Sequence, residues 1–199
     1  PTPGMKKYAT ELELANYDGY LLSFNGGKII HCKTGEIIFQ KVLPSVVIKS
    51  LYNFAVEKEC GLITYLGDDI ILATDLDEYI EHEAKINDMK FKKVSNFVDY
   101  VSDYNLNKML MTAPPEKAAI LVEELKERFK DVLSIYRSEP FFIEIMPKNV
   151  DKAASLDIML TSLGITKDDA ICCGDGFNDK SMIEYAGVGV AMENAQPAV

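Results

Sequence analysis

The sequence of 199 residues predicts an α/β protein, and two observations carry this prediction. Short apolar runs alternate along the chain with longer segments in which apolar residues recur at helical spacing. From residue 150 onward the order becomes helix, apolar strand, helix, apolar strand, which is typical of a parallel sheet. We therefore expect a mixed α+β middle section joined to a section of parallel α/β architecture.

The first part of the chain predicts two β-hairpins separated by a helix. A helix over 3–14 precedes the apolar strand 20–24, which ends at the turn Asn25-Gly26-Gly27. Glycine-containing turns then predict hairpins within 28–41 and 62–73. The intervening helix opens at Pro44 and ends before Gly61, and a further helix is expected over 75–87.

The second part begins with a stretch, residues 88–106, that has no clear pattern, and then becomes regular again. A strand over 107–111 precedes an amphipathic helix from Pro115 to Phe129, whose last turn is basic. Facing strands are expected over 132–136 and 141–146. The final elements are a helix after Asn149 that ends before Gly164, a buried apolar strand over 170–173, a helix over 179–186 and a strand over 188–192.

Charge and composition exclude several classes of function. The 21 Lys+Arg against 31 Asp+Glu give a net charge of −10, which argues against a nucleic-acid binder. No apolar run approaches the ~18–20 residues of a membrane span, and the first residues lack the pattern of a signal peptide. The 4 cysteines show neither a disulfide framework nor zinc-ligand spacing, so we expect a reducing, cytoplasmic location.

The segment Gly174-Asp175-Gly176-Phe177-Asn178-Asp179 is the sharpest chemical feature. It follows a predicted strand and precedes a helix, which is where open α/β sheets place ligands. Asp175 and Asp179 offer two carboxylates, which suit Mg²⁺, and Asn178 is placed to cap the helix or donate to a phosphate oxygen. A polar turn without any ligand accounts for the same residues, so both interpretations stay open.

Lys152 and the turn Asn25-Gly26-Gly27 are two further candidates. With Asn149 as the N-cap, Lys152 lies in the first helical turn, where a cation is mildly unfavourable unless an anion binds there. A solvated surface lysine is the simpler interpretation from position alone. The glycine turn either presents backbone N–H groups to a ligand or only reverses the chain, and the second interpretation is the simpler one.

Taken in order, these motifs resemble the Cof-type branch of the haloacid dehalogenase (HAD) superfamily. The segments that carry the resemblance are Ser23–Gly27, Ile143–Lys152, Gly174–Asp179 and Gly187–Met192. Members of this branch are Mg²⁺-dependent phosphatases with a large α/β cap inserted in a Rossmann-like core. The resemblance assigns residues 1–27 and 144–199 to an incomplete core and residues 28–143 to the cap.

The resemblance also implies a role for each candidate residue. Lys152 matches the lysine that binds the transferring phosphoryl group and steadies the aspartyl-phosphate. Asp175 matches the acid that holds Mg²⁺, and Asp179 matches a second acid that acts as a direct or water-mediated ligand. Asn178 matches a residue that touches the phosphate or its neighbours. Metal and lysine together supply the charge neutralisation that phosphoryl transfer requires.

Two motifs of the family are absent from the sequence. The first is the Asp-x-Asp strand that carries the nucleophile, and the second is a Thr or Ser at the next strand tip. We therefore expect a fragment of a longer protein that is inactive alone, with the nucleophilic Asp outside this chain. The core portion alone is expected to be poorly stable, because its central strand is missing, whereas the cap is expected to fold independently.

The expected function of the parent protein is hydrolysis of a phosphate monoester of a small metabolite, such as a sugar phosphate. Two alternatives remain open: a non-catalytic module that binds a phosphate ligand or a protein, and a phosphomutase relative. A small phosphorylated metabolite is the expected partner, without nucleic acid or membrane. Neither the particular substrate nor the oligomeric state can be read from the sequence.

Overall fold

A computed structural model describes residues 1–197 and 199, and their contacts divide the chain into two units. The larger unit contains residues 41–149 together with Pro1 and residues 3–7. The smaller unit contains Thr2, residues 8–40 and, of the C-terminal residues described, 150–197 and 199. Among the described residues, no helix combines the length and apolar character needed to cross a bilayer.

Helices and strands alternate along the chain, as the sequence predicts. The helices are α1 (Thr2–Glu11), α2 (Ser45–Glu57), α3 (Glu78–Asn87), α4 (Phe97–Val101), α5 (Pro115–Phe129), α6 (Lys152–Leu163) and α7 (Lys180–Tyr185). The strands are β1 (Tyr20–Ser23), β2 (Lys28–His31), β3 (Ile37–Gln40), β4 (Gly61–Leu66), β5 (Asp69–Leu72), β6 (Lys90–Lys93), β7 (Met109–Thr112), β8 (Leu133–Glu139), β9 (Phe142–Pro147), β10 (Ile171–Gly174) and β11 (Val188–Ala191). Short 3₁₀ helices lie at Leu14–Tyr17, Phe24–Gly26 and Lys167–Asp169.

The larger unit is built on a six-stranded sheet in the order β6-β5-β4-β7-β9-β8. Every neighbouring pair in it is antiparallel except β5 and β6, which are parallel. Apolar side chains on one face of the sheet form a buried core with helices α2, α4 and α5. Leu51 and Phe54 of α2 and Leu125 of α5 belong to this core, as do Met111 and Ile145 of the sheet.

The described residues of the smaller unit form two short sheets. Strands β1, β2 and β3 form an antiparallel sheet, and β10 and β11 form a parallel pair. Helices α6 and α7 pack on each other, and α7 packs on β10 and β11. Because β11 runs parallel to β10, the segments that follow the two strands leave the same edge of the pair.

The sequence prediction of a fully buried strand over 170–173 is wrong. Cys172 and Gly174 are buried, but Ile171 and Cys173 are exposed. Successive strand side chains alternate between faces, and α7 packs against this strand. Within the described residues β10 pairs with β11 alone, so alternate side chains remain uncovered.

Both predicted hairpins are confirmed by the pairing of β2 with β3 and of β4 with β5. The first helix ends earlier than predicted, at Glu11, and Glu13 adopts a left-handed backbone conformation just beyond it. Hydrogen bonding ties β2 and β3 to β1, which groups residues 28–40 with the smaller unit. The division into a core (1–27 and 144–199) and a cap (28–143) stays a prediction.

Candidate active site

Asp179 lies at the end of the loop that connects β10 to α7, and its side chain is buried with a residue exposure of 7%. One carboxylate oxygen, Oδ1, pairs with the ammonium group of Lys152. The other, Oδ2, accepts hydrogen bonds from the backbone N–H groups of Asp175 and Gly176, both at 3.1 Å. Both carboxylate oxygens therefore have donors, and the carboxylate joins the loop to helix α6.

These contacts determine the ionisation of Asp179. Burial alone would raise the pKa of this carboxyl group, because it disfavours the charged form. The hydrogen bond and charge of Lys152 and the two backbone N–H groups act in the opposite direction and prevail. The pKa of Asp179 is therefore lowered from its ordinary value, and the side chain is a carboxylate at neutral pH.

Gly174, the last residue of β10, makes the close approach of Asp179 possible. A Cβ atom at position 174 would lie 2.4 Å from the Cβ atom of Asp179, far inside van der Waals contact. A residue with a side chain at this position would push Asp179 away from its donors. The glycine that opens the motif is thus required by packing, independently of any ligand.

Lys152 is the first residue of α6. The helix is capped by Asp151, whose Oδ1 accepts a hydrogen bond from the Ala154 N–H at 2.9 Å. The predicted N-cap, Asn149, is therefore wrong, because Asn149 has a left-handed φ of 57° two residues before the cap. Lys152 still lies in the first turn, and its pairing with Asp179 offsets the unfavourable interaction between a cation and the helix dipole.

Asp175 is exposed at the tip of the loop. Its Oδ2 accepts a hydrogen bond from the side chain of Asn194 at 2.8 Å, and its backbone carbonyl accepts one from the N–H of Gln196 at 2.9 Å. Sequence reasoning missed Asn194. The available signal was its position just after β11, because segments that follow neighbouring parallel strands meet at one edge.

Asn178 is exposed and lies next to Asp179 in the sequence. Its side chain contacts the turn at Asn25, which is also a candidate from the sequence. Its Nδ2 donates to Oδ1 of Asn25 at 3.3 Å. The segment Asn25-Gly26-Gly27 does reverse the chain, as the simpler interpretation predicted. The same segment also supplies a side-chain contact to the loop 174–179.

The donor chemistry of this site fits Mg²⁺. Magnesium is held by one or two protein carboxylates and completes its coordination with water and substrate phosphate. Asp179 is committed to nitrogen donors, whereas Asp175 is exposed and its side chain contacts the carboxamide of Asn194. No group of three or more His, Cys, Asp and Glu side chains within residues 1–197 and 199 is arranged as a metal site. Asp175 is therefore the candidate ligand of Mg²⁺, and Asp179 is the second carboxylate of the site.

In this α/β fold the tip of strand β10, the acidic loop 174–179 and the helix-borne Lys152 converge. The chain belongs to the haloacid dehalogenase-like hydrolase family, whose model matches residues 1–199. The resemblance, the α/β fold class and the hydrolase class predicted from the sequence are thereby confirmed.

Three known proteins illustrate the similarity. A haloacid dehalogenase-like hydrolase from Bacteroides thetaiotaomicron has a crystal structure that matches with a TM-score of 0.95 and 37% identity, over 100% of this chain and 74% of that chain. The HMP-PP phosphatase of Cronobacter sakazakii is 26% identical over 188 residues, which are 90% of this chain and 65% of that protein. The structure of the subclass IIB sugar phosphatase BT4131 matches with a TM-score of 0.75 and 21% identity, over 96% of this chain and 70% of that chain.

Proposed function

We propose that this chain is part of a Mg²⁺-dependent phosphatase that hydrolyses phosphate monoesters of small metabolites, with sugar phosphates as the expected class. The reaction proceeds through an aspartyl-phosphate on an Asp that lies outside this chain. Family membership supports the reaction class, and the relatives named for sugar-phosphate and HMP-PP phosphatase activity support a small phosphorylated substrate.

Lys152 is the residue that binds the transferring phosphoryl group in this proposal. Its side chain is 27% exposed, so it is partly accessible to solvent while its ammonium group stays paired with Asp179. Phosphoryl transfer depends mainly on positioning and charge neutralisation, and a lysine held by a buried carboxylate supplies both without reorganisation. The pairing of Lys152 with Asp179 is the single observation that carries the proposal.

Asp175 would hold the metal ion, with Asp179 as a water-mediated ligand or as the support of the loop. When bound, Mg²⁺ neutralises the charge of the phosphoryl oxygens. The hydrogen bond from Asn194 fixes one oxygen of Asp175 and so orients the carboxylate. Asn178 would donate to a phosphoryl oxygen from the same loop.

The test is Mg²⁺-dependent release of inorganic phosphate from an aryl phosphate by the full-length protein. We expect Lys152→Ala and Asp175→Asn each to lower kcat/KM by about 100-fold or more, because each removes a charge that faces the transition state. A chelator should abolish turnover, and added Mg²⁺ should restore it.

Lys180 provides a matched control. It is likewise the first residue of a helix in the smaller unit, but its side chain is 49% exposed and its ammonium group lies 3.8 Å from a carboxylate oxygen of Glu184. Lys180→Ala should retain wild-type turnover. If Lys152→Ala and Asp175→Asn left the turnover of the full-length enzyme unchanged, the site assignment would be disproved. A full-length protein that binds inorganic phosphate but does not hydrolyse the aryl phosphate would favour the non-catalytic binder.

A further inference from the structure

The turn that precedes β2 has an unusual backbone. Phe24, Asn25 and Gly26 have consecutive positive φ angles of 53°, 53° and 96°. Asparagine and glycine tolerate this region, but a bulky residue such as phenylalanine rarely adopts it. A strained conformation of this kind persists only where the surrounding structure imposes it, and such positions are concentrated at functional sites.

Ser155 of α6 holds this turn. Its side chain is almost fully buried, with a residue exposure of 3%, and its hydroxyl group donates to the carbonyl oxygen of Gly26 at 2.7 Å. The approach is tight, because a Cβ atom at Gly26 would lie 2.4 Å from Ser155 Oγ and 2.8 Å from the carbonyl oxygen of Asp151. The turn is therefore fixed against the first turn of the helix that carries Lys152.

The position of the turn brings Asn25 to the loop 174–179. Asn25 Oδ1 accepts the hydrogen bond from Asn178 Nδ2 at 3.3 Å. Asp179 anchors the same loop through the backbone N–H groups of Asp175 and Gly176, whereas the Asn178 carboxamide is exposed and contacts Asn25. The orientation of that carboxamide is thus linked to the turn at Asn25.

We propose that Asn25 is a positioning residue for Asn178, and that Ser155 holds the strained turn in the conformation that presents Asn25. This inference rests on the proposed function, in which Asn178 donates to a phosphoryl oxygen. Asn25 acts through the Asn178 carboxamide. Loss of Asn25 should therefore weaken the binding of a phosphate group without removing the charges that drive the chemistry.

Asn25→Gly is the most informative variant, because glycine keeps the left-handed backbone while removing the carboxamide. In the full-length protein with Mg²⁺, we expect KM for an aryl phosphate and the inhibition constant of inorganic phosphate to rise about two- to tenfold, with kcat less affected. Asn178→Ala should do the same. The double variant should be no weaker than Asn178→Ala alone, because both changes remove one interaction.

Ser155→Ala should raise KM and the inhibition constant of inorganic phosphate, as Asn25→Gly does. Its matched control is Ser162→Ala in the same helix, where the hydroxyl group is exposed and donates at 2.7 Å to the Met159 carbonyl within the helix. Ser162→Ala should leave KM and the inhibition constant unchanged. Additive effects of Asn25→Gly and Asn178→Ala would overturn the inference, because Asn25 would then act independently of Asn178.

A second readout separates this inference from the proposed function. In protein labelled with ¹⁵N at asparagine, the side-chain amide resonance of Asn178 should shift in Asn25→Gly and in Ser155→Ala, but not in Ser162→Ala. This measurement needs no turnover, so it still tests the positioning role if the full-length protein proves inactive. An Asn178 resonance that is the same in the wild type and in Asn25→Gly would overturn the inference.

Discussion

At the scale of single residues, Asp179 combines a structural role with a role in the proposed chemistry. Its carboxylate binds the Lys152 ammonium group and two backbone N–H groups, and it does so from a buried position. A charge in such a place is tolerated only when its hydrogen-bonding capacity is satisfied. The residue therefore contributes to the stability of the loop as well as to the proposed chemistry.

Replacement of Asp179 by Asn should lower the free energy of unfolding by about 1–3 kcal/mol at neutral pH, because the charge-assisted bond to Lys152 is lost. Folding lowers the pKa of Asp179. Its contribution to stability is therefore fully present above the unfolded-state pKa of about 4 and is lost as pH falls through the lower folded-state value.

Denaturant titrations of the wild type and Asp179→Asn at several pH values measure this contribution. The difference between the two should be constant between about pH 5 and 7 and should shrink below about pH 4. Asp168→Asn, a change at an exposed position of the same unit, is the control and should leave the free energy of unfolding at neutral pH close to that of the wild type. A difference that stayed constant down to pH 2 would contradict the assigned ion pair.

Sequence alone could predict part of this site and not the rest. Lys152, Asp175, Asn178 and Asp179 stand in motifs that resemble a known family, and the structure brings Lys152 and Asp179 together. For Asn194 the sequence indicated only that the segments after β10 and β11 meet at one edge, and its contact with Asp175 depends on the register of the two strands. The bond between Asn25 and Asn178 likewise joins segments that are remote in the chain.

At the scale of elements, the packing of Asp179 restricts which residue can end strand β10. The strand must finish with a residue that has no side chain, since Asp179 occupies the space beside Gly174. Helix α7 begins directly after Asp179, so any shift of the loop also displaces the start of this helix. The packing of α7 on β10 and β11 therefore depends on Gly174.

Gly174→Ala should lower stability by about 1–3 kcal/mol, because the added methyl group overlaps Asp179, and should abolish phosphate release by the full-length protein. Gly35→Ala is the control. A Cβ atom at position 35 would meet nothing within 4 Å. Because alanine is disfavoured at the left-handed φ of 73°, the free energy of unfolding should fall by about 1–2 kcal/mol, and phosphate release should be unchanged. Wild-type phosphate release by Gly174→Ala would refute the role assigned to this contact.

Element prediction succeeded where periodicity was strong and failed where pairing was remote. Helix α5 buries the predicted stripe, including Leu121, Leu125 and Phe129. Strand β6 was not predicted, because its sequence Lys90-Phe91-Lys92-Lys93 is exposed at every position and carries no alternation. It is held by parallel pairing with β5 at the sheet edge, where lysines are common because they discourage pairing with other chains.

At the scale of the whole molecule, the apolar core is unevenly distributed. The main buried cluster runs from Leu43 to Ile145 and lies entirely within the larger unit. Among the described residues of the smaller unit, the buried apolar side chains are Ile29, Leu160 and Cys172. Burial of apolar surface is the dominant stabilising contribution to folding, so the larger unit has much the greater intrinsic stability.

We therefore expect residues 41–149, produced alone, to fold and to unfold cooperatively on heating. Residues 8–40 joined by a flexible linker to residues 150–199 should lack a cooperative transition, because this segment buries too little apolar surface. Circular dichroism and amide hydrogen exchange measure both outcomes. A cooperative transition of the joined segments, or a 41–149 fragment without protected amides, would contradict the expectation.

Because residues 41–149 are continuous in the chain, the larger unit can fold before the smaller unit has been fully synthesised. The ribosome releases the chain from its N-terminus, and domains fold as units while synthesis proceeds. All six strands of the larger sheet are therefore synthesised before Lys152 and Asp179. Strands β1–β3 are synthesised first, and more than a hundred codons are translated between the end of β3 and the start of helix α6. The candidate active site thus assembles only after residues 41–149 have been synthesised.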